Sequence, residues 1–268
     1  MLAALLPLLT AGILTGCIGG LIGVRAAGSA IALAFMVAHL SILGWPPLPP
    51  GSSLQKIVYI AAIGLLLGVA LDFLSDRVAI RPLALIWPGI ILAWLGWQRL
   101  LGFEALDLAR LILVWLAGAL IFDRLLALRD TDIVAPTMVL VAGFGASAIA
   151  FIGAAASLSQ LAAAVAAATG GFLLWNWPKR RYPFSTSALF GAASALFGVG
   201  ATMVLFTRAS TLALAILLGI FVAGSIRARL PLADRPVWGP IAFGLAAAVP
   251  MLLAIATALI FAPGSTDY

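Results

Sequence analysis

Apolar residues dominate the chain, and short polar stretches interrupt them at nearly regular intervals. Ten apolar segments approach the roughly 20 residues that a transmembrane helix needs. Their long Leu, Ala, Ile and Val runs lack the two-residue alternation of a membrane β-strand, so helices are predicted. Several segments are short, so nine spans would also fit. The ten predicted spans are residues 2–24, 29–45, 57–74, 82–97, 111–128, 133–154, 158–177, 185–206, 209–226 and 238–261.

The composition indicates that lipid surrounds these helices. Of 268 residues, 64% are hydrophobic and 9% are charged, against roughly 45–50% and 25% in soluble domains. So few charged side chains cannot cover a water-soluble globule, and the mean hydropathy is +1.21. No basic residue precedes Arg25, so the first span lacks the charged region of a cleaved signal peptide and is predicted to be retained. We therefore predict an all-α, polytopic membrane helical bundle.

Basic residues are distributed unevenly around the predicted spans. Eleven lysines and arginines follow odd-numbered spans, and four follow even-numbered spans. Because cytoplasmic loops carry the excess of basic residues, both termini are predicted to lie outside. These basic residues at the cytoplasmic ends of the spans explain the net charge of +6. We therefore expect a lipid bilayer, and no nucleic acid, as the partner. The predicted location is the inner membrane of a bacterium.

The chain resembles itself when it is shifted by about 131 residues. An alanine–glycine pair at 11–12 falls on an identical pair at 142–143. Tryptophan–proline pairs at 45–46 and 177–178 correspond with one insertion. Because each half would hold five spans, the second half would enter the membrane from the opposite side, giving a 5+5 inverted repeat of about ten transmembrane helices. The predicted halves are residues 1–130 and 131–268.

Polar and helix-breaking residues within the spans predict a central site. His39 lies inside the second span, where an ionisable group is costly and calls for an explanation. It is either a proton-linked or substrate-contacting group, or a neutral histidine bonded to a backbone carbonyl. The repeat maps His39 near residues 169–171, whose small side chains would let a helix or a ligand approach closely. The proline and glycine at 88–89 and the glycine at 219 are predicted to break the fourth and ninth spans. The predicted substrate-binding residues are His39, Thr169, Gly170, Gly171, Pro88, Gly89 and Gly219.

Charged residues of both signs occur where the third and fifth spans end. Asp72 and Arg77 belong to the third span and its loop, and Asp123 and Arg124 belong to the fifth. Opposite charges at one depth can neutralise each other, for instance Asp72 with Arg124 or Asp123 with Arg77. These four residues predict either a structural belt of ion pairs or an ion-coupling site and inner gate.

Residues that catalysis and metal binding require are scarce. The chain has one histidine and one cysteine, Cys17, which cannot supply a metal cluster or a hydrolytic triad. A phosphate-binding loop of the GxxxxGK type is absent as well. We expect no enzymatic activity, no catalytic residue, no metal site and no cofactor.

The first two spans carry a family resemblance. The stretch AGILTGCIGGLIG at 11–23, followed by apolar residues and by Leu-Gly-Trp-Pro at 43–46, resembles the opening of the sulfite exporter group of anion permeases. The resemblance covers about 36 residues. The sequence departs from that group at 24–28, where Val-Arg-Ala-Ala-Gly replaces a glycine triplet, and the group usually has fewer spans. In architecture alone, a 5+5 repeat with outward termini resembles bile-acid-symporter-like and auxin-carrier-like transporters, which implies a secondary transporter.

Two functions fit these patterns. The first is a secondary transporter of a small-molecule or ion substrate, which works by alternating access between two inverted five-helix halves. The alternative is a non-catalytic membrane subunit that anchors or assembles a larger membrane complex. A homodimer or a partner membrane subunit is compatible with both.

Overall fold

In the computed structural model, all regular structure is helical among the residues that the structure describes, which are 2–74, 80–97, 105–131, 133–177, 179–224 and 237–262. A short 3-10 turn, Ala26–Ser29, precedes the second helix. The helices are α1 (Leu2–Leu21), α2 (Ala30–Leu43), α3 (Ser53–Leu74), α4 (Ile80–Leu95), α5 (Ala105–Leu128), α6 (Val134–Ile152), α7 (Ala156–Trp175), α8 (Thr186–Phe206), α9 (Thr211–Leu217), α10 (Gly219–Ala223) and α11 (Trp238–Ile260).

Helix lengths and compositions are compatible with a multi-pass membrane protein. Seven helical segments within the described ranges are long and apolar enough to cross a membrane. Three further apolar segments are shorter, namely Leu5–Leu21, Ile80–Leu95 and Thr211–Ala223. Each of the ten predicted spans therefore coincides with helical structure. The prediction of an all-helical fold is confirmed within the described ranges, and its helices are compatible with a membrane bundle. The count of ten crossing helices and the 5+5 repeat stay predictions.

The helix pair α3–α8 lies at the centre of the bundle, and α8 is buried along nearly its whole length. Two glycines of α3 allow the close approach. A Cβ atom added at Gly68 would lie 2.6 Å from the Ser187 Cα atom, and one added at Gly64 would lie 2.7 Å from the Phe190 carbonyl oxygen. Residues four apart share one helix face. Small residues on such a face let helix backbones pack closely in lipid, where no hydrophobic force drives association.

Glycines also join α1 to α7. The Trp175 indole Nε1 donates a hydrogen bond of 2.7 Å to the Gly12 carbonyl oxygen, and a Cβ atom at Gly16 would lie 2.7 Å from the Trp175 ring. A Cβ atom at Gly171 would lie 2.9 Å from the Gly12 nitrogen. The absence of side chains at these positions thus brings α1 into direct backbone contact with α7.

The remaining helices pack around these two pairs. α2 contacts α1, α3, α7 and α8. α4 lies against α5, α6 lies against α7 and α11, and α9 lies against α11. α11 and α5 leave most of their surface uncovered, as expected of helices that face lipid.

Of the two predicted helix breaks, the one in the ninth span corresponds to a one-residue interruption at Leu218, whose backbone keeps right-handed helical dihedral angles. α9 ends at Leu217, and α10 begins at Gly219. Gly219 lies beside α11, where an added Cβ atom would be 3.2 Å from the Pro250 Cβ atom. A proline of the neighbouring helix therefore occupies the space where a larger side chain would stand.

The predicted break at Pro88 and Gly89 is wrong, because α4 runs through both residues as one helix. Pro88 has no N–H group to bond the carbonyl four residues earlier. Trp115 of α5 packs against Gly89, and its Nε1 donates a hydrogen bond of 3.0 Å to the Leu85 carbonyl oxygen. The carbonyl that Pro88 leaves without a helical donor is that of Ala84, so the Trp115 bond satisfies the next carbonyl of the same turn and does not replace the missing one.

Candidate functional site

His39 is fully buried in α2 and has only one of its two ring nitrogens satisfied. Its Nε2 lies 3.0 Å from the Leu54 carbonyl oxygen in the first turn of α3. Because a carbonyl oxygen only accepts hydrogen bonds, Nε2 carries a proton. In the neutral ring Nδ1 is then an acceptor, and this buried atom has no partner among the described residues. One ring nitrogen is therefore bonded and the other is open. An unsatisfied buried polar atom costs about 1–3 kcal/mol.

Thr169, Gly170 and Gly171 follow one another on α7 and contact other helices. The Thr169 hydroxyl donates to the carbonyl oxygen of Val165 in its own helix, at 2.8 Å. Gly171 packs on α1, and a Cβ atom at Gly170 would lie 3.5 Å from Leu140 of α6. The observed contacts therefore place these residues at the α1–α7 and α6–α7 interfaces, whereas the contact of His39 is with α3.

A buried hydrogen bond joins α4 to α8 near Pro88. The Trp87 indole Nε1 donates to the Ser194 hydroxyl oxygen at 2.8 Å, and both side chains are buried. Pro88 itself packs against α5, where a Cβ atom added at Gly118 would lie 2.6 Å from the Pro88 Cβ atom. Sequence reasoning missed the Trp87–Ser194 pair. A serine in the middle of an apolar span signals a buried hydroxyl, but no spacing identifies a partner on another helix.

Asp72, in the last turn of α3, binds the amino terminus of α8. Its Oδ1 accepts from the Thr186 backbone nitrogen at 2.9 Å, and its Oδ2 accepts from the Ser187 backbone nitrogen at 3.0 Å. The first N–H groups of a helix lack partners within the helix and carry partial positive charge, so a carboxylate is stabilised there. The carboxylate of Asp72 is thus satisfied by backbone groups of α8. The contact also shows that α3 and α8 run in opposite directions.

Arginines add a second set of contacts at the start of α8. The Arg129 Nη1 donates to the Thr186 hydroxyl oxygen at 3.1 Å, and its Nε donates to the Asp130 carboxylate at 3.3 Å. The Arg180 Nη1 donates to the Asp130 carbonyl oxygen at 2.8 Å. Residues 129–130 connect α5 to α6, so this junction is tied directly to α8. Sequence reasoning missed Arg129, Asp130 and Thr186 as contacts.

Asp123 pairs with Arg81 of α4, whose Nε lies 2.7 Å from the Asp123 Oδ1 atom. The Arg81 side chain is 72% exposed, and exposed ion pairs contribute about 0–1 kcal/mol. Arg124 follows Asp123 on the partly exposed end of α5. The other predicted partner, Arg77, lies outside the described residues. The Asp123 contact fits the belt of ion pairs that was one of the two predicted alternatives.

These contacts define two ends of the bundle. We call the end that contains Asp72, Arg81, Asp123, Arg129 and Arg180 the basic end. At the opposite end, the start of α3 is held by its own polar side chains. The Lys56 Nζ donates to the Trp94 carbonyl oxygen at 2.9 Å, and the Tyr59 hydroxyl donates to the Pro46 carbonyl oxygen at 3.1 Å. His39 contacts the first turn of α3 and therefore belongs to this opposite end.

The described residues offer limited chemistry. They contain no group of three His, Cys, Asp or Glu side chains that could hold a metal ion. What they offer is one buried imidazole with an open nitrogen, a carboxylate bound to a helix terminus, and several buried hydroxyls. Such groups can bind a proton or a small polar solute.

The comparisons with known proteins assign no family to the chain. No protein-family model matches it, and no curated protein matches it. The resemblance of residues 11–46 to the sulfite exporter group therefore rests on those residues alone.

Proposed function

We propose that the chain is an integral membrane secondary transporter of a small solute, without enzymatic activity. Two five-helix halves would rock against each other, so that a path between them opens to one side of the membrane at a time. The proposal rests on one observation: the helices of residues 1–130 begin and end at positions that correspond to those of residues 131–268.

The helix bounds of the two halves correspond under the shift of about 131 residues. The first half provides α1, α2 with its preceding turn, α3, α4 and α5. Their shifted bounds differ by at most about three residues from those of α6, α7, α8, the α9–α10 pair and α11. The same shift comes from matching residues in the sequence and from matching helices in the fold. This agreement supports an internal repeat of five helices.

Helix contacts also pair as an inverted repeat requires. α2 packs on its counterpart α7, and α3 packs on its counterpart α8, so both pairs fit a pseudo-twofold axis in the membrane plane. The pair α4–α5 corresponds to α9–α11. The contact of α1 with α7 has no comparable counterpart between α6 and α2 within the described ranges. Unequal contacts of equivalent helices support a state that is open toward one side, as alternating access needs.

In this proposal the basic end is the closed gate. Asp72 of the first half binds backbone N–H groups of α8 in the second half, and Arg129 binds Thr186 beside them. Opening this end requires those bonds to break. Asp123, Arg77 and Arg124 would form the charged rim of the same gate, and His39 would contribute to the solute site toward the opposite end.

The uneven distribution of basic residues supports an orientation. If the basic end faces the cytoplasm, both termini lie outside, and the surrounding membrane is a bacterial inner membrane. Lys179, Arg180 and Arg181 would then lie at the surface of the cytoplasmic leaflet, whose anionic headgroups attract basic side chains.

Distances between spin labels test alternating access without knowledge of the solute. In a Cys17→Ser background, one cysteine pair at positions 73 and 179 reports on the basic end, and another at 52 and 208 reports on the opposite end. We expect two distances for each pair in nanodiscs, because both states are populated. Asp72→Ala removes the gate contact. It should therefore increase the fraction of molecules with the longer distance at the basic end and the fraction with the shorter distance at the opposite end.

A single distance at each end, unchanged by Asp72→Ala, would contradict alternating access. The control is Arg181→Gln, which removes an exposed charge at the same end whose contact with the Trp175 ring lies within the second half; it should leave both distance distributions unchanged. If rigid distances accompany stoichiometric co-purification of another membrane protein, the alternative function of an anchoring subunit is favoured.

A further inference from the structure

The titratable groups on the elements that pack against α2 already have other roles. α2 packs against α1, α3, α7 and α8, and against the turn Ala26–Ser29. That turn, α7 and α8 contain no titratable side chain. The titratable residues of α1 and α3 are Cys17, Lys56, Tyr59 and Asp72. Cys17 is exposed, and the other three bond to Trp94, to Pro46 and to the start of α8, respectively. The imidazole of His39 is therefore the buried titratable group around α2 that keeps an open atom, Nδ1.

No described carboxylate is placed to balance a positive charge on His39. The helices α1, α2, α6, α7, α8, α9, α10 and α11 contain no aspartate or glutamate. Asp72, Asp123 and Asp130 lie at the basic end, and Asp107 lies 3.6 Å from Arg110 on α5. At this fully buried position a protonated imidazole would be an unpaired charge in a medium of low dielectric, which is strongly unfavourable.

We propose that His39 binds a proton together with a small monovalent anion. In the neutral ring, the Nε2–H group donates to Leu54, and the Nδ1 lone pair is open. A proton from solution forms an N–H bond at Nδ1, the bond to Leu54 is retained, and the ring becomes an imidazolium. The anion accepts a hydrogen bond from Nδ1 and balances the charge. No other bond forms or breaks.

The anion follows from charge balance. A cationic solute would repel the imidazolium, and Asp72, the carboxylate on the helices around α2, already binds the start of α8 at the basic end. A neutral solute would leave the imidazolium unbalanced. Joint binding of a proton and an anion adds no net charge to the apolar interior, so it is the combination of lowest electrostatic cost. This inference deepens the proposed function, because it assigns a proton-coupled anion as the solute, yet the binding step can be tested without transport.

Nuclear magnetic resonance can read this site directly because the chain contains a single histidine. Protein labelled with 15N-histidine is titrated with acid in nanodiscs at constant ionic strength, with chloride, nitrate or methanesulfonate as the salt anion and bulky gluconate as the reference. We expect the Nε2–H tautomer at neutral pH. At least one small anion should move the protonation midpoint upward by about 0.7–2 pH units, which corresponds to a coupling of about 5- to 150-fold. If none of the three anions moves the midpoint relative to gluconate, the proposal is overturned.

The variant His39→Gln provides the matched control. Glutamine keeps an N–H donor for the Leu54 carbonyl oxygen but cannot take up a proton, so its size-exclusion profile and melting temperature should equal those of the wild type. In proteoliposomes containing a pH-sensitive dye, an inward gradient of the anion that moved the midpoint should acidify the lumen with wild-type protein and not with His39→Gln. Equal acidification by both proteins overturns the role of His39 and leaves transport standing. A moved midpoint without acidification by the wild type retains the binding site and removes the transport function.

Discussion

At the residue scale, carboxylates that look equivalent in the sequence have different surroundings. Asp72 and Asp123 both lie near the end of an apolar helix with arginines nearby. Asp72 accepts two backbone N–H bonds from α8, whereas Asp123 pairs with an exposed arginine. The sequence predicted arginine partners for both, because charge pairing can be guessed from composition. A helix terminus 114 positions away is invisible to that reasoning.

This difference predicts unequal stabilities for two alanine variants. Asp72→Ala leaves two N–H groups of α8 without their acceptor, and loss of an amino-terminal cap costs about 0.5–2 kcal/mol. Asp123→Ala should cost less than about 1 kcal/mol, because exposed ion pairs are weak. Unfolding in mixed detergent micelles by increasing sodium dodecyl sulfate measures both values. Equal free energies of unfolding for the two variants would refute the role assigned to Asp72.

For His39 as well, the sequence predicted that the residue needs an explanation but did not predict its contacts. Its position inside an apolar span marks it as a residue that needs an explanation, and both predicted roles concern its ring nitrogens. The bond of Nε2 to Leu54 and the open Nδ1 atom depend on how α2 meets α3. No spacing in the sequence determines that contact.

At the element scale, glycines decide how closely the helices pack. Gly64 and Gly68 of α3 face the backbone of α8, whereas Gly200 of α8 has open space around its added Cβ position. All three are glycines within apolar helices. Only the packing distinguishes those that bring two helices together from one that has no neighbour there.

Alanine at these positions should therefore have opposite effects. Gly68→Ala places a methyl group 2.6 Å from both the Ser187 Cα atom and the Thr186 carbonyl oxygen, and such overpacking typically costs about 1–3 kcal/mol. Gly200→Ala should be neutral or should stabilise by up to about 1 kcal/mol, because alanine favours the helical conformation. Thermal unfolding of the two purified variants compares them. A melting temperature of Gly68→Ala at or above that of Gly200→Ala would show that α3 and α8 do not meet as described.

Helix continuity is another property of elements that local sequence predicted incompletely. Proline and glycine occur together at 88–89, yet α4 continues there, with Trp115 of α5 packed on Gly89 and bonded to Leu85. The ninth span is divided at Leu218 with no proline of its own, and Pro250 of α11 lies opposite. Proline and glycine in the sequence therefore did not by themselves predict where a helix is interrupted.

At the scale of the whole molecule, polar bonds join the two halves at the basic end, whereas those described at the opposite end stay within the first half. Asp72 and Arg129 hold the start of α8 at the basic end, and Lys56 and Tyr59 hold the start of α3 at the opposite end. The middle of the α3–α8 pair between these ends is packed with small residues. Opening the basic end must therefore break polar bonds between the halves, and we expect the close central contact to act as the pivot.

Labelling from one side of the membrane tests this arrangement. In the Cys17→Ser background, Lys179→Cys and Ser52→Cys introduce cysteines at the two ends of the bundle. In intact bacterial cells, a membrane-impermeant maleimide should label position 52 and should leave position 179 unlabelled until the membrane is permeabilised, because the basic end is predicted to face the cytoplasm. Labelling of both positions in intact cells would contradict a helix α3 that spans the membrane.

The sequence by itself determined the helical class and the placement of the helices along the chain, with lengths and compositions compatible with a membrane. These properties follow from local composition, because about 20 consecutive apolar residues can satisfy their backbone groups in lipid only as a helix. The shift of about 131 residues that is visible in the sequence also matches the helix bounds. Tertiary structure alone decided which helices meet, that Asp72 binds α8, that α4 stays continuous and that the His39 Nδ1 atom stays open. Each of these depends on contacts between residues far apart in the chain, where composition and spacing carry no information about distance.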